Sequence, residues 1–280
     1  MDVKAILMGL SFSLMWSSAF ATARIIVAAA PPLHSLALRF FLAGVIAILI
    51  AKLMGQTWRL TKSQWRATLI FGLCQNALYL GLNFIAMQKI EASLAAIIAS
   101  TMPLLVALLG WIFLREKLRP MAILGLLTGF FGVALIMSDR ITTGVDIKGL
   151  ILCVIAALAL AIATLTMRGA SGGGNLLMVV GLQMLVGSAI LSVASWLWEP
   201  WFLVPSPALF WAFTYQIFIP GLTATLLWFA LVARLGAVRA SSFHFLNPFF
   251  GVLIAMFLLG EAMPPRDNIS VAIIMLGIWA

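Results

Sequence analysis

The chain is 280 residues long, 64% hydrophobic and only 9% charged, with a formal net charge of +9. Soluble domains carry roughly 25% charged residues, so the composition excludes a soluble fold and predicts a chain embedded in the lipid bilayer. The basic residues are spread over separate segments rather than gathered in one patch, and no nucleic-acid partner is expected.

Ten stretches are long and apolar enough to cross a bilayer, for which about 20 mostly apolar residues suffice. In chain order we predict spans at 5–28, 34–54, 65–86, 92–114, 119–138, 148–168, 175–197, 207–233, 238–260 and 265–280. The segments between them are short. This arrangement predicts an all-α polytopic membrane protein with ten transmembrane helices.

The fourth and ninth predicted spans carry the same pattern. Pro103 aligns with Pro248 at an offset of 145 residues, and Glu116 aligns with Glu261 at the same offset. Further matches at offsets of 144 and 145 cover nearly the whole chain. The sequence therefore predicts one five-helix unit that occurs twice.

The two predicted units occupy residues 1–140 and 141–280. Because each unit has an odd number of spans, the second enters the membrane from the opposite side, and such inverted repeats are frequent in secondary transporters. With the N-terminus in the cytoplasm, eleven Lys and Arg residues fall on the cytoplasmic side and five on the other. This bias follows the positive-inside rule and predicts that both termini are cytoplasmic.

The first predicted unit contains a basic residue clearly inside a span and a polar helix face. For Arg39, in the second span, two interpretations stay open: its side chain reaches the nearer interface, or it faces a cavity and meets an anion. Asn76, Tyr79 and Asn83 are three and four residues apart, which places them on one helix face. That face either lines a cavity or makes hydrogen bonds between helices.

Each of the two matching spans combines a proline with polar neighbours. A proline removes the hydrogen bond to the carbonyl four residues earlier, which would free the carbonyls of Ala99 and His244. An unpaired carbonyl in the membrane must face protein or a water-filled space. We predict that Pro103 and Pro248 act as hinges and present acceptors to a central site near Ser100; a static kink is the alternative.

Further candidate ligand-binding residues are aromatic or lie near Pro248. His244 shares a helix face with Asn247 and either titrates near neutral pH or packs. Trp16 and Trp228 lie deep in their spans, where they either stack on a ligand or pack. The predicted substrate cavity contains Trp16, Asn76, Tyr79, Asn83, Ser100, Trp228, His244 and Asn247.

All eight Asp and Glu residues fall in predicted loops or at span ends. Proton-coupled carriers commonly use embedded carboxylates as relays, so strict dependence on a proton gradient is not expected. The few His and Cys residues show no metal-ligand spacing and leave little for acid–base or nucleophilic chemistry. We therefore expect no metal, no cofactor and no enzymatic activity.

Several short segments, taken in order, resemble one half of a known family. They are "LMWSSAF" at 14–20, "LRF" at 38–40, the spacing from Pro103 to Glu116, and "GLLTGFFG" at 125–132. By this pattern the chain is similar to the drug/metabolite transporter superfamily, in its EamA-type branch. The resemblance implies ten helices in two inverted five-helix repeats, and it covers the whole chain.

Within this branch the chain is similar to a bacterial inner-membrane exporter of aromatic and other neutral amino acids. The resemblance implies export by alternating access around a midplane cavity, by a monomer in the lipid bilayer. The second unit departs from the pattern, because Leu160 replaces the tryptophan of the first and Gln183 replaces its arginine. A broad exporter of hydrophobic or cationic metabolites and drugs is the alternative, and an intramembrane lipid enzyme is less favoured.

Overall fold

The computed structural model describes residues 3–115, 123–124, 127–128, 131, 144–166 and 175–261. Within these residues, eight helices are long and apolar enough to cross a membrane, and there is no β-strand. The chain is thus an all-helical polytopic membrane protein. The predicted spans at 119–138 and 265–280 lie outside the described residues, apart from the isolated positions just given, so the count of ten remains a prediction.

The described spans are numbered α1 to α8 and match in pairs. The first four are α1 (Val3–Ala29), α2 (Pro32–Leu53), α3 (Lys62–Ala86) and α4 (Ala92–Ala99 with Met102–Leu114). The others are α5 (Ile147–Thr166), α6 (Leu176–Trp198), α7 (Pro207–Leu235) and α8 (Ala237–Leu259). Their first residues are related by 144 or 145 positions: 3 to 147, 32 to 176, 62 to 207, and 92 to 237.

Both α3 and α7 change helical type in the middle. Residues Gly72–Leu80 of α3 and Ile217–Ala224 of α7 form π-helix, with α-helix on each side. The two π segments begin 145 residues apart, so they are equivalent in the repeat. A π turn is wider than an α turn and changes which residues share a face, and such turns are frequent at functional sites.

The spans α4 and α8 are broken rather than bent. In α4 one helix ends at Ala99 and another begins at Met102, so Pro103 lies in the first turn of the second helix. In α8 a short 3₁₀ stretch precedes the helix that begins at Asn247, and Pro248 has the equivalent place. Proline is well tolerated in a first turn, because no N–H donor is needed there.

The carbonyl of His244, predicted to be free, is not. It accepts the backbone N–H of Asn247 at the end of the 3₁₀ stretch. The carbonyl of the preceding residue, Phe243, accepts a hydrogen bond from another span instead. Its donor is the Ser13 hydroxyl of α1, at 2.7 Å. The prediction for His244 was wrong because it assumed an uninterrupted α-helix before Pro248.

The most extensive contact between spans joins α2 to its equivalent, α6. The Ser188 hydroxyl donates to the Ala37 carbonyl at 2.8 Å. A Cβ atom added to Gly44 would lie 3.0 Å from the carbonyl oxygen of Gly181, so the two backbones approach closely there. Small residues permit this approach in membrane helices.

The ends of α2 and α6 also cap each other. Gln56, beyond the end of α2, accepts the backbone N–H of Met178 in the first turn of α6 at 3.0 Å. Glu199, just beyond α6, accepts the N–H groups of Leu33 and His34 in the first turn of α2 at 2.7 and 2.9 Å. First-turn N–H groups have no partner within their own helix, so each helix satisfies the other.

Candidate functional site

A buried cavity lies between α1, α2, α3 and α7, where the two halves meet. Its volume is about 20 Å³, which suffices for roughly one water molecule. The cavity is therefore closed to any metabolite in this conformation. Its polar and aromatic lining includes Trp16, Phe20, Arg39, Phe40, Gln75, Asn76, Tyr79 and Asn83.

Arg39 brings a positive charge to this cavity. Its side chain is only 3% exposed, and its Nε and Nη1 atoms have no hydrogen-bond partner among the described residues. The guanidinium carbon lies 5.0 Å from the centroid of the Phe40 ring, a cation–π contact. Of the two interpretations offered by the sequence, the structure supports the inward direction of the side chain, whereas the anion that Arg39 would meet stays a prediction.

The carboxylates that the structure describes act at the ends of spans. Glu199 and Glu261 accept backbone N–H groups in the first turns of α2 and α4. Asp146 lies 3.7 Å from Lys89 in a salt bridge just before α5. Arg39 is not among the recorded partners of these three carboxylates, so none of the three forms an ion pair with it.

Two more polar groups in the cavity lack a partner within the described part of the chain. They are the Oε1 atom of Gln75 and the hydroxyl of Tyr79, both buried and both in the π segment of α3. The Tyr79 ring is stacked on Trp16, with centroids 6.1 Å apart and planes inclined by 9°. The cavity therefore combines a cation, an acceptor, a hydroxyl and an aromatic wall.

The two predicted asparagines of α3 line the cavity, but their amide groups bind neighbouring helices. Asn76 donates to the backbone and side-chain oxygens of Gln183 in α6. Asn83 donates to the carbonyl of Tyr79 at 2.8 Å and accepts from the Cys153 thiol of α5 at 3.4 Å. Both of the functions considered for this face, cavity lining and interhelical bonding, thus occur together.

An aromatic cluster of Phe12, Trp16, Trp228 and His244 lies beside the cavity and joins α1, α7 and α8. The His244 ring meets Phe12, Trp16 and Trp228 edge-on, at centroid distances of 5.0, 5.6 and 5.0 Å. Phe12 is stacked on Trp228 at 4.9 Å. Since Trp16 belongs to both the cluster and the cavity wall, the two features share a boundary.

Hydrogen bonds fix the orientation of His244. The Ser17 hydroxyl donates to Oδ1 of Asn247 at 3.2 Å, and Nδ2 of Asn247 lies 3.0 Å from Nδ1 of His244. If Nδ1 accepts from this amide, a neutral ring carries its proton on Nε2. That Nε2 atom and Nε1 of Trp228 are both buried and have no partner among the described residues, which leaves two polar groups inside the aromatic cluster.

Of the residues predicted to form the cavity, Trp16, Asn76, Tyr79 and Asn83 line it. Trp228 and His244 lie instead in the aromatic cluster beside it, and Asn247 bonds to His244. Ser100 is buried, but its hydroxyl donates to the Ile97 carbonyl of its own helix and joins neither the cavity nor the cluster. Arg39, Phe12 and Gln75 were not in the predicted set. Phe12 lies four residues before Trp16 on α1, a helical spacing that the sequence displays, whereas the orientation of Gln75 depends on the unpredicted π segment.

The sequence matches the profile of the EamA-like transporter family twice, over residues 3–138 and 147–280. It is 26% identical to the uncharacterized transporter YvbV of Bacillus subtilis, over 89% of this chain and 82% of that protein. It is also 26% identical to the uncharacterized inner membrane transporter YedA of Escherichia coli K12, over 97% of this chain and 89% of that one.

The likeness extends to a solved structure. A protein known from its crystal structure is 22% identical to this chain and superposes with a TM-score of 0.72. The superposition covers 99% of this chain and 96% of the other. At this identity the likeness establishes the fold alone.

Proposed function

Since the chain belongs to the EamA-like transporter family, we propose that it exports aromatic and other neutral amino acids by alternating access across the bacterial inner membrane. The family shows that the chain is a multi-pass membrane transporter, and its relative YedA is an inner membrane transporter. The amino-acid substrates and the outward direction are our proposal, and we further propose that the transporter acts as a monomer.

The cavity between the halves is the observation that carries the proposal. Trp16 and Tyr79 provide a flat wall suited to an aromatic side chain, and Gln75 provides an acceptor for an ammonium group. A volume of about 20 Å³ cannot hold an amino acid, so admission requires the surrounding helices to separate. Alternating access consists of such a separation, first on one side and then on the other.

The two broken spans support the same mechanism. The breaks before Pro103 and Pro248 divide α4 and α8 into segments that can move separately. In an inverted repeat these breaks face opposite sides of the membrane. Movement at one break would therefore open one side, and movement at the other would open the opposite side.

The charge of the cavity argues against the alternative of a broad exporter of cationic compounds. A buried arginine without a neutralising carboxylate among the described groups repels a cation. An intramembrane lipid enzyme is also disfavoured. His244 has an amide as its nearest polar partner rather than a nucleophile, in the part of the chain that the structure describes.

A transport assay in proteoliposomes tests the substrate class. We expect saturable counterflow of radiolabelled phenylalanine, tryptophan and leucine, with no counterflow of tetraphenylphosphonium. Uptake should also persist when nigericin collapses the pH gradient, because every carboxylate lies in a predicted loop or at the end of a predicted span. Transport of the cation alone would reject the amino-acid proposal in favour of the alternative exporter.

Single cysteines test the orientation. In a background in which Cys74 and Cys153 are replaced by alanine, a cysteine at Gly173 should react with an impermeant maleimide only from the cytoplasm. A cysteine at Gly144, which is exposed, should react only from outside. The reverse labelling pattern would overturn the proposed orientation of both termini.

A further inference from the structure

The charge in the cavity indicates which chemical group the substrate must carry. We propose that Arg39 binds a carboxylate of the substrate, so that a free carboxylate is required for transport. This inference rests on the proposed transport function and narrows its substrate class to zwitterions and carboxylates. It assigns a specificity-determining contact to α2.

The first argument is the isolation of the guanidinium group. Arg39 is 3% exposed, and two of its three nitrogens make no hydrogen bond within the described residues. Basic residues inside membrane spans pair with acidic groups or with backbone carbonyls, since an unpaired charge in a region of low dielectric constant is strongly unfavourable. A group that the described protein leaves without a counter-charge is suited to receive one from a ligand.

The second argument is the absence of a hydrogen-bonding side chain opposite Nε on α7. The residue of α7 that faces Arg39 is Gly221, in the π segment, and a Cβ atom added there would lie 3.7 Å from the Arg39 Nε. The equivalent pair, Asn76 and Gln183, is joined by hydrogen bonds from the Asn76 amide. Because Gly221 has no side chain, α7 offers the buried Nε of Arg39 no hydrogen-bonding group at this position.

The third argument is the arrangement of the N–H donors on the guanidinium group. Guanidinium presents parallel N–H donors that match the two oxygens of a carboxylate, and such bidentate pairs are both stronger and more selective than single hydrogen bonds. Phe40 contacts the guanidinium through a cation–π interaction, which restricts its orientation without using its N–H donors. Arg39 is thus held in place with its donors available.

The other cavity groups then orient a zwitterion. Its carboxylate would bind Arg39 on α2, its ammonium group would meet Oε1 of Gln75, and an aromatic side chain would lie against Trp16 and Tyr79. The side chain of the substrate would occupy the remaining space, which opens only when the helices separate. Recognition of the common backbone of amino acids is consistent with a substrate range that includes several neutral side chains.

The test compares three compounds that share a phenyl ring. Phenylalanine has both charges, phenylalaninamide lacks the carboxylate, and 3-phenylpropionate lacks the ammonium group. In wild-type proteoliposomes we expect phenylalanine to be transported and the amide to be at least about tenfold poorer in kcat/KM, the equivalent of one lost charge-assisted contact. The matched control is Lys52→Gln, which removes the same charge from the exposed end of the same helix.

The expected effect of Arg39→Gln is selective. The KM for phenylalanine should rise at least about tenfold, the amide should be unaffected or improved, and Arg39→Lys should lie between Arg39→Gln and wild type. The melting temperature of Arg39→Gln in detergent should stay constant or rise, because a buried unpaired charge has been removed. A lower melting temperature with an equal loss for all compounds would show a structural role and overturn the inference.

The remaining outcomes separate the inference from the proposed function. If wild type transports phenylalanine and its amide equally and Arg39→Gln changes neither, the inference fails while amino-acid transport stands. If only 3-phenylpropionate is transported and Arg39→Gln abolishes this, the amino-acid proposal fails while carboxylate binding stands. If none of the compounds is transported, both are rejected.

Discussion

The two halves of the chain repeat one backbone plan with different chemistry. The equivalent spans α3 and α7 both contain a π segment, and the equivalent spans α4 and α8 are both broken before a proline. The charged and polar groups of the cavity, however, come mainly from the first half. Arg39 and Gln75 correspond to Gln183 and Pro220 in the second half.

The second half contributes a different polar unit. His244 and Asn247 are linked by a hydrogen bond within the aromatic cluster, whereas the equivalent positions of the first half are Ala99 and Met102. The backbone repeat and the polar groups around the cavity therefore serve separate requirements. A transporter with two symmetric conformations needs equivalent breaks in both halves, but an asymmetric substrate needs unlike groups around it.

The strongest test makes the second half like the first at the cavity. Gly221→Asn introduces the residue found at position 76, and its Cβ would lie 2.6 Å from the carbonyl oxygen of Gln216. Overpacking of this kind destabilises by about 1–3 kcal/mol, and the new side chain would also cover Nε of Arg39. Thermal unfolding should shift downward and phenylalanine counterflow should be lost.

The matched control for this change is Gly55→Asn. Gly55 has a φ of 75° and nothing within 4 Å of an added Cβ, and asparagine tolerates this left-handed conformation. We expect stability and transport close to those of wild type. If Gly221→Asn behaves like Gly55→Asn, close packing at the π segment of α7 is not required.

A second substitution removes the polar unit of the second half. Asn247→Met introduces the equivalent residue of the first half and leaves Nδ1 of His244 without its partner. An unsatisfied buried acceptor costs about 1–3 kcal/mol, so the melting temperature should fall. Ser100→Ala is the control, since that hydroxyl bonds only within its own helix and its loss should have little effect. Equal melting temperatures for the two variants would contradict a stabilising role of the hydrogen bond.

A third test concerns the equivalent breaks. In Pro103→Ala and Pro248→Ala the broken spans can become continuous, and we expect export to fall about tenfold, a rise of about 1.4 kcal/mol in the barrier. Stability should change little, because each proline lies in a tolerated first turn. Export rates and the reactivity of a cysteine at Ala240 measure the effect. The two variants should trap opposite states, and wild-type rates in both would show that the breaks are static.

The smallest effect is expected for the side chains that cap the first turns of α2 and α6. Glu199 is charged and accepts two N–H groups, whereas Gln56 is neutral and accepts one from Met178. Glu199→Ala should cost about 1 kcal/mol and Gln56→Ala about 0.5 kcal/mol, and salt should weaken only the former. Chemical unfolding in detergent at two ionic strengths measures both. A larger loss from Gln56→Ala would contradict this ranking.

Hydropathy predicted the described spans closely but not their internal geometry. The first was predicted at 5–28 and observed at Val3–Ala29, because burial in lipid depends on the run of apolar residues itself. The π segments were not predicted. They depend on packing between spans: a Cβ added to Gly72, where the first segment begins, would lie 2.8 Å from Val186 of α6.

Site residues were predictable from the sequence where the residue type and its depth in a span were enough to identify them. Trp16 and Tyr79 were selected as large or polar groups deep in their spans, and they do line the cavity. The sequence could not show whether the Arg39 side chain points to the membrane interface or to the interior, because a long side chain reaches either one from the same position. Ser100 was misplaced because a hydroxyl can bond its own helix instead of facing a neighbour.

The mutual caps of α2 and α6 have a consequence for biogenesis. The N–H groups of Leu33 and His34 bond a residue 166 and 165 positions later in the chain. At a synthesis rate of about 5–20 residues per second, α2 waits roughly 8–33 s in the membrane before Glu199 has been made. During that interval the first half must tolerate an uncapped helix, so premature termination before residue 199 should yield a fragment recognised by membrane proteases.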